Sequence, residues 1–133
     1  SAMTLVPFKG SLYAIENQVV NFPTMHGNGS GSGNATHLGA YTFRYQVVVD
    51  LRTFSASGST HLVAANGDSI YADGTGQSFA TDTPTVRRIV ETYTITGGTG
   101  RFAGAGGSFT VERLINRSTG ETAGTFDGSI TMP

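Results

Sequence analysis

Two charged side chains stand in otherwise apolar alternations of this sequence. After Arg87, every second residue from 89 to 95 is apolar apart from Glu91, and every second residue from 109 to 115 is apolar apart from Arg113. Pairing Ile95 with Phe109 in an antiparallel hairpin places Glu91 directly opposite Arg113. A carboxylate and a guanidinium facing a protein interior must pair or hydrate, because a lone buried charge costs several kcal/mol.

The expected Glu91–Arg113 pair has the chemistry of a catalytic site. It could polarise a carbonyl or an epoxide, or Arg113 could hold a substrate carboxylate. The alternatives are a purely structural ion pair, or a surface pair if the register slips by one residue.

Aromatic residues at alternate strand positions are the candidates for a ligand pocket. They are Tyr41, Phe43, Tyr45, Tyr93 and Phe109. Such side chains combine apolar area with tyrosine hydroxyls that can donate hydrogen bonds to a ligand. The same pattern is also typical of a plain core.

The three histidines do not form a metal motif. His26, His37 and His61 lie far apart in the sequence and have no nearby cluster of carboxylates, so we expect neither a metal site nor a cofactor. His37 follows a glycine-rich segment at the end of a predicted strand, which makes it the candidate general acid or base.

The overall composition narrows the possible partners. The chain has 133 residues, no cysteine, 13% charged residues and a net charge of −1. Disulfides and thiol chemistry are excluded, and without a basic patch we expect no nucleic-acid partner. No apolar run approaches the roughly 18 residues of a membrane span. Residues 1–3 resemble an expression scar, so we expect one domain over residues 4–133, either cytoplasmic or secreted after removal of a leader.

Period-two alternation predicts strands throughout the chain. From Tyr41 to Leu51 the odd positions are aromatic or aliphatic, and Asn66-Gly67 between two alternating runs is a strong hairpin signal. No segment shows the 3.6-residue period of a helix. We therefore expect an all-β protein, folded as a single eight-stranded antiparallel barrel that leaves no exposed edge.

Glycines at 27, 29, 31 and 33 alternate with serine and asparagine. Composition alone is compatible with a flexible linker. The alternative is a strand whose inward positions are all glycine because bulky side chains pack over them, and the strict alternation favours this strand. Inward glycines would also leave room for a ligand.

The most distinctive stretch is the glycine-rich segment from Thr96 to Ala105, TGGTGRFAGA, between strands ending in TYTI and beginning with SFTV. It resembles the hairpin shared by allene oxide cyclases and dirigent proteins, and GTFDGSI at residues 124–130 is similar to the closing strand of that barrel. Asn34 to Gly39 and Ala64 to Asp68 resemble a bacterial branch of this superfamily. The match spans roughly residues 84–131.

The resemblance implies a calycin-like barrel of eight strands, often trimeric, with an apolar cavity at one mouth. It implies a cofactor-independent cyclase or isomerase acting on a small hydrophobic molecule. Glu16 and Pro23 are nearest in type to the cyclases' carboxylate and proline, but their spacing departs from the family pattern. A non-catalytic ligand-binding barrel, or a structural one with a filled interior, is the alternative. We also expect a homo-oligomer, a dimer or trimer, with Val48, Val86 and Val90 facing outward.

Overall fold

Eight antiparallel strands form one closed barrel in a computed structural model that describes residues 2–133. Each strand pairs with the next along the chain, and β8 closes the barrel against β1. The strands are β1 (Thr4–Asn21), β2 (Thr24–Ala35), β3 (Gly39–Asp50), β4 (Ser55–Ala64), β5 (Ser69–Ala80), β6 (Val86–Gly98), β7 (Gly107–Asn116) and β8 (Glu121–Met132). The prediction of an all-β, eight-stranded antiparallel barrel is confirmed. Over residues 2–133 no helix is long and apolar enough to cross a membrane.

The predicted alternation sets the faces of the strands. In β3 the odd positions from Tyr41 to Val49 are buried and the even positions from Thr42 to Val48 are exposed. Asn66-Gly67 lies in the β4–β5 turn, where Gly67 adopts φ +92°, a conformation that costs other residues energy.

The glycine-rich hairpin forms as expected, but its register differs by two residues. Phe109 pairs with Tyr93 rather than Ile95, so Arg113 pairs with Ile89 and Glu91 pairs with Val111. The reason is that the last residues of β6 pair with β5 alone, while a 3₁₀ turn at Gly100–Phe102 carries the chain away before β7 begins. Because the shift is even, both charged side chains keep the inward face.

The alternating glycines lie in a strand, so the linker alternative is wrong. Gly27, Gly29, Gly31 and Gly33 occupy inward positions of β2. Rather than leaving space, they make room for side chains of other strands: the ring of Tyr45 lies over Gly29, and the hydroxyl of Tyr41 lies over Gly33. As a result, some strands supply large side chains to the interior and others supply almost none.

Strands with large inward side chains lie next to strands that carry small ones. β3, β6 and β7 supply most of the aromatic and charged groups of the interior, and β2, β4 and β5 carry inward glycines against which those groups pack. Gly74 of β5 lies under Tyr93, and Gly76 lies under Glu91. Dense filling follows from this complementarity of large and small strands.

The two ends of the barrel differ. Loop residues Leu38, Phe102 and Ala105 are buried and join the main apolar cluster, which closes the end formed by loops 36–38, 65–68 and 99–106. We call this the closed end. At the opposite, open end a void of about 100 Å³ lies among residues that include Phe54 and Arg87.

Candidate functional site

A buried charged cluster crosses the barrel towards the open end. It is built on Arg113, whose side chain is 5% exposed and donates hydrogen bonds to two carboxylates. Its Nε lies 2.9 Å from Glu91 Oε1, and its Nη1 lies 3.1 Å from Glu16 Oε1 and 3.0 Å from Thr122 Oγ1. Nη2 lies 3.4 Å from Glu91 Oε2, so the guanidinium bridges both acids.

Glu16 is the member of the cluster that the sequence analysis did not place at the site. It is 4% exposed, and its carboxylate accepts hydrogen bonds from the Tyr45 hydroxyl at 2.6 Å and the Gln18 amide at 2.7 Å. The signal was present in the sequence: residues 8, 12, 14 and 16 share the inward face of β1, so strand parity alone would have directed Glu16 inward. With both carboxylates ionised, the cluster has two negative charges and one positive charge.

The tyrosines beside the cluster remain neutral donors. Burial raises the pKa of Tyr45 well above its ordinary value, and the carboxylates add to this rise although the charge of Arg113 opposes it. Burial and then the carboxylate of Glu91 do the same to the pKa of Tyr93, whose hydroxyl lies 3.4 Å from Glu91 Oε2. Burial alone would lower the pKa of Arg113, but its carboxylate partners raise it, so the guanidinium stays charged.

A small cavity lies against this cluster. Its volume is about 30 Å³, and its walls include Glu91 and Arg113. All the aromatic residues proposed for a ligand pocket also line it, namely Tyr41, Phe43, Tyr45, Tyr93 and Phe109. A cavity of this volume holds about two water molecules, because one water needs about 10–15 Å³ measured in this way.

The fold does not bring His37 to the cavity. It lies in the exposed β2–β3 turn at the closed end with φ +66°, and its backbone carbonyl accepts a hydrogen bond from Arg101 at 2.7 Å. The charged cluster lies towards the other end of the barrel. The turn between β2 and β3 lies at the closed end, so His37 is held at the opposite end of the barrel from the charged cluster.

Metal ligands do not gather within the described residues. Across residues 2–133 no three His, Cys, Asp or Glu side chains are close enough to hold a metal ion. Glu16 and Glu91 instead share the guanidinium of Arg113.

Comparison with known proteins found no relative of this chain. No protein-family model, no curated protein and no solved structure matches it.

The arrangement has three chemical capabilities. The guanidinium can stabilise negative charge on a ligand oxygen, the neutral phenols can donate hydrogen bonds or a proton, and Glu91 can accept a proton. The surrounding rings leave room for only about two water molecules beside the cluster, and this limited hydration strengthens each of these interactions.

Proposed function

We propose that the protein is a binding barrel that takes a small, mainly apolar molecule with one polar group into its interior. The observation that carries this proposal is that Glu91 and Arg113 line the same cavity as the aromatic residues. Replacing a buried ion pair by well-packed apolar side chains is often neutral or stabilising by about 1–4 kcal/mol. A barrel selected only for stability gains nothing from three buried charges, so their presence supports a role in recognition.

The ligand enters by displacing the lining. A cavity that binds benzene in another protein measures about 150 Å³, whereas this one measures about 30 Å³. Occupancy therefore requires the rings of residues such as Phe43 and Tyr45 to move apart. Binding then combines burial of the ligand's apolar part with a hydrogen bond from its polar group to the cluster.

Cofactor-independent isomerisation or cyclisation is the activity that this site would support, as the resemblance to allene oxide cyclases implies. A bound epoxide or carbonyl oxygen beside Arg113 would be polarised by the guanidinium, with a neutral tyrosine as hydrogen-bond donor. Confinement by the aromatic wall would hold the substrate in a reactive conformation.

The small volume favours a second candidate, a structural barrel with a filled interior. Here the charged cluster serves only to fix the arrangement of strands β1, β6 and β7. The two candidates differ in one measurable property, the response of the interior to apolar probes.

A matched pair of probes tests the proposal. Toluene and p-cresol differ by one hydroxyl, and a ligand that binds the folded state raises the melting temperature. We expect p-cresol to stabilise the protein more than toluene does, and Phe43→Leu, which enlarges the cavity, to strengthen both effects. Phe79→Leu, at an exposed ring on β5, is the control and should change neither. If neither probe stabilises the parent or Phe43→Leu, the interior is structural and the proposal fails.

We also propose that copies of the chain associate through the outer face of β1. Tyr13, Ile15 and Val19 are between 47% and 56% exposed there, and Val48 lies on the same side, across β2. The outward positions of β1 from residue 11 to 20 carry no charge. Val86 and Val90 were also expected to contribute to the interface. They are partly exposed, but they lie on β6 rather than on β1 or beside it.

Light scattering after gel filtration tests this association. Ile15→Lys should convert a dimer or trimer to the monomer, because a charge would be buried in an apolar contact. Leu114→Lys, at a residue 51% exposed on β7, should leave the mass unchanged. A parent protein that is monomeric at high concentration contradicts the proposal.

A further inference from the structure

A depression lies on the outer surface of the barrel, and Tyr45 and Thr60 line both it and the interior cavity. The volume of the depression is about 470 Å³, within the range of pockets that hold small molecules. Two rows of outward side chains border it across the strands. One row is Asn28, Gln46, Ser59 and Asp73, and the other is Arg44, His61 and Tyr71.

Tyr71 forms a fixed aromatic surface in this depression. Its side chain is 44% exposed, and its ring stacks on the ring of His61 with centroids 4.1 Å apart and planes 6° apart. On the side away from His61, the register partner of Tyr71 is Gly97, which has no side chain. One face of the ring is therefore covered by His61. The other side adjoins the backbone of Gly97 and the short side chain of Thr96, whose hydroxyl donates a hydrogen bond to the Tyr71 carbonyl at 3.2 Å, so this face is available to a flat ligand.

His61 acts as the support of this ring rather than as a ligand-binding group. Both of its ring nitrogens are buried without a hydrogen-bond partner within residues 2–133. Burial, and then the charge of Arg44, lower the pKa of His61, which keeps the imidazole neutral. A neutral ring held in this position stacks on Tyr71 without adding charge to the depression.

The polar rim offers donors and acceptors of both kinds. The amides of Asn28 and Gln46 line the rim, and the salt bridges found within the described residues involve neither Arg44 nor Asp73. The single positive charge is matched by a single negative charge. A phosphate-bearing ligand such as a nucleotide would need an excess of positive charge, which this rim lacks.

We propose that this depression binds a neutral carbohydrate. One face of a pyranose ring carries mainly C–H groups and packs against an aromatic face, while its hydroxyls both donate and accept hydrogen bonds. Tyr71 presents such a face, and the amides, the guanidinium and the carboxylate around it supply acceptors and donors for the hydroxyls. This proposal does not rest on the function proposed above.

Saturation-transfer NMR with a panel of sugars tests this proposal. The probes are methyl glucoside, methyl galactoside, cellobiose and chitobiose, with adenosine monophosphate as the nucleotide comparison. We expect at least one sugar to receive saturation on the protons of one ring face. Tyr71→Ala should weaken its binding about tenfold, whereas Tyr71→Phe should preserve it, because the stacking surface remains.

Phe79→Ala provides the matched control. Phe79 is 40% exposed, close to the exposure of Tyr71, and lies at the other end of β5, away from the depression. Its replacement should leave sugar binding unchanged. The proposal is overturned if no sugar in the panel binds, if the nucleotide binds more tightly than every sugar, or if Tyr71→Ala weakens sugar binding no more than Phe79→Ala does.

Discussion

Replacing Arg113 by methionine tests whether the charged cluster is as dry as its geometry indicates. Methionine keeps much of the length of the side chain but removes the hydrogen bonds to Glu91, Glu16 and Thr122. Two carboxylates that are each 4% exposed then face one another without a cation. They must take up protons, draw in water or open the barrel.

The size of the effect follows from what remains buried. Removing one partner of a buried ion pair costs about 3–5 kcal/mol, and here one guanidinium serves two acids, so we expect the upper part of that range. Domains of this kind have only about 5–15 kcal/mol of total stability. The melting temperature should therefore fall by about 10–20 °C.

Arg88→Met is the matched control on the same hairpin. Arg88 lies 3.0 Å from Glu112, and both side chains are largely exposed. An exposed pair contributes about 0–1 kcal/mol because water and salt screen it. The two variants remove the same group from adjacent strands, so the difference between them measures burial.

Urea denaturation followed by circular dichroism measures both variants. If Arg113→Met lies within about 1 kcal/mol of Arg88→Met, the cluster is hydrated and our account of it is wrong. If Arg113→Met does not fold, Glu91→Gln decides the question. It removes one negative charge and leaves Arg113 and Glu16 balanced, so it should fold and lose less stability than a variant with two unpaired acids.

Three further predictions follow from other parts of the barrel. Gly29→Ala places a methyl group against the ring of Tyr45 and should cost about 1–3 kcal/mol in denaturation experiments; an unchanged midpoint would show that the ring can move aside. Gly98→Val should destabilise the hairpin by a similar amount, because its Cβ meets backbone of β5 and of the 3₁₀ turn, and a parent-like melting curve would contradict this close approach. Burial raises the pKa values of Tyr41, Tyr45 and Tyr93 above the ordinary value of 10.0, so the folded state holds protons that the unfolded state releases. Their contribution is complete below about pH 10 and is lost as the pH rises above it, by up to about 1.4 kcal/mol per pH unit for each tyrosine; phenolate absorbance that appears well before unfolding would refute this assignment.

Most of what could be predicted from the sequence followed from strand parity, the alternation of inward and outward side chains along each strand. The alternation around Glu91 and Arg113 fixed which face each side chain takes, and that assignment survives a register error of two residues. The register itself depends on how many residues of β6 pair with β5 alone and on a 3₁₀ turn. Neither of these features has a local sequence pattern from which the pairing of β6 with β7 could be counted.

Other features of the site depend on contacts between distant parts of the chain. Glu16 reaches Arg113 across 97 positions, so only closure of the barrel by β1 and β8 brings them together. The glycines of β2 were expected to leave space for a ligand, and the strand was correctly predicted. Whether that space is empty depended on the side chains of β3, and Tyr41 and Tyr45 occupy it.

The unequal filling of the barrel makes its interior easy to reshape. A shortened side chain on β3, such as in Tyr45→Ala, would leave an empty volume beside Gly29 on the neighbouring strand β2. Gly29 has no side chain that could fill it. Cavities persist where the surroundings cannot relax into them. A few positions on β3, β6 and β7 thus control the shape of the whole interior, and single substitutions there could convert this scaffold into receptors for molecules of different outline.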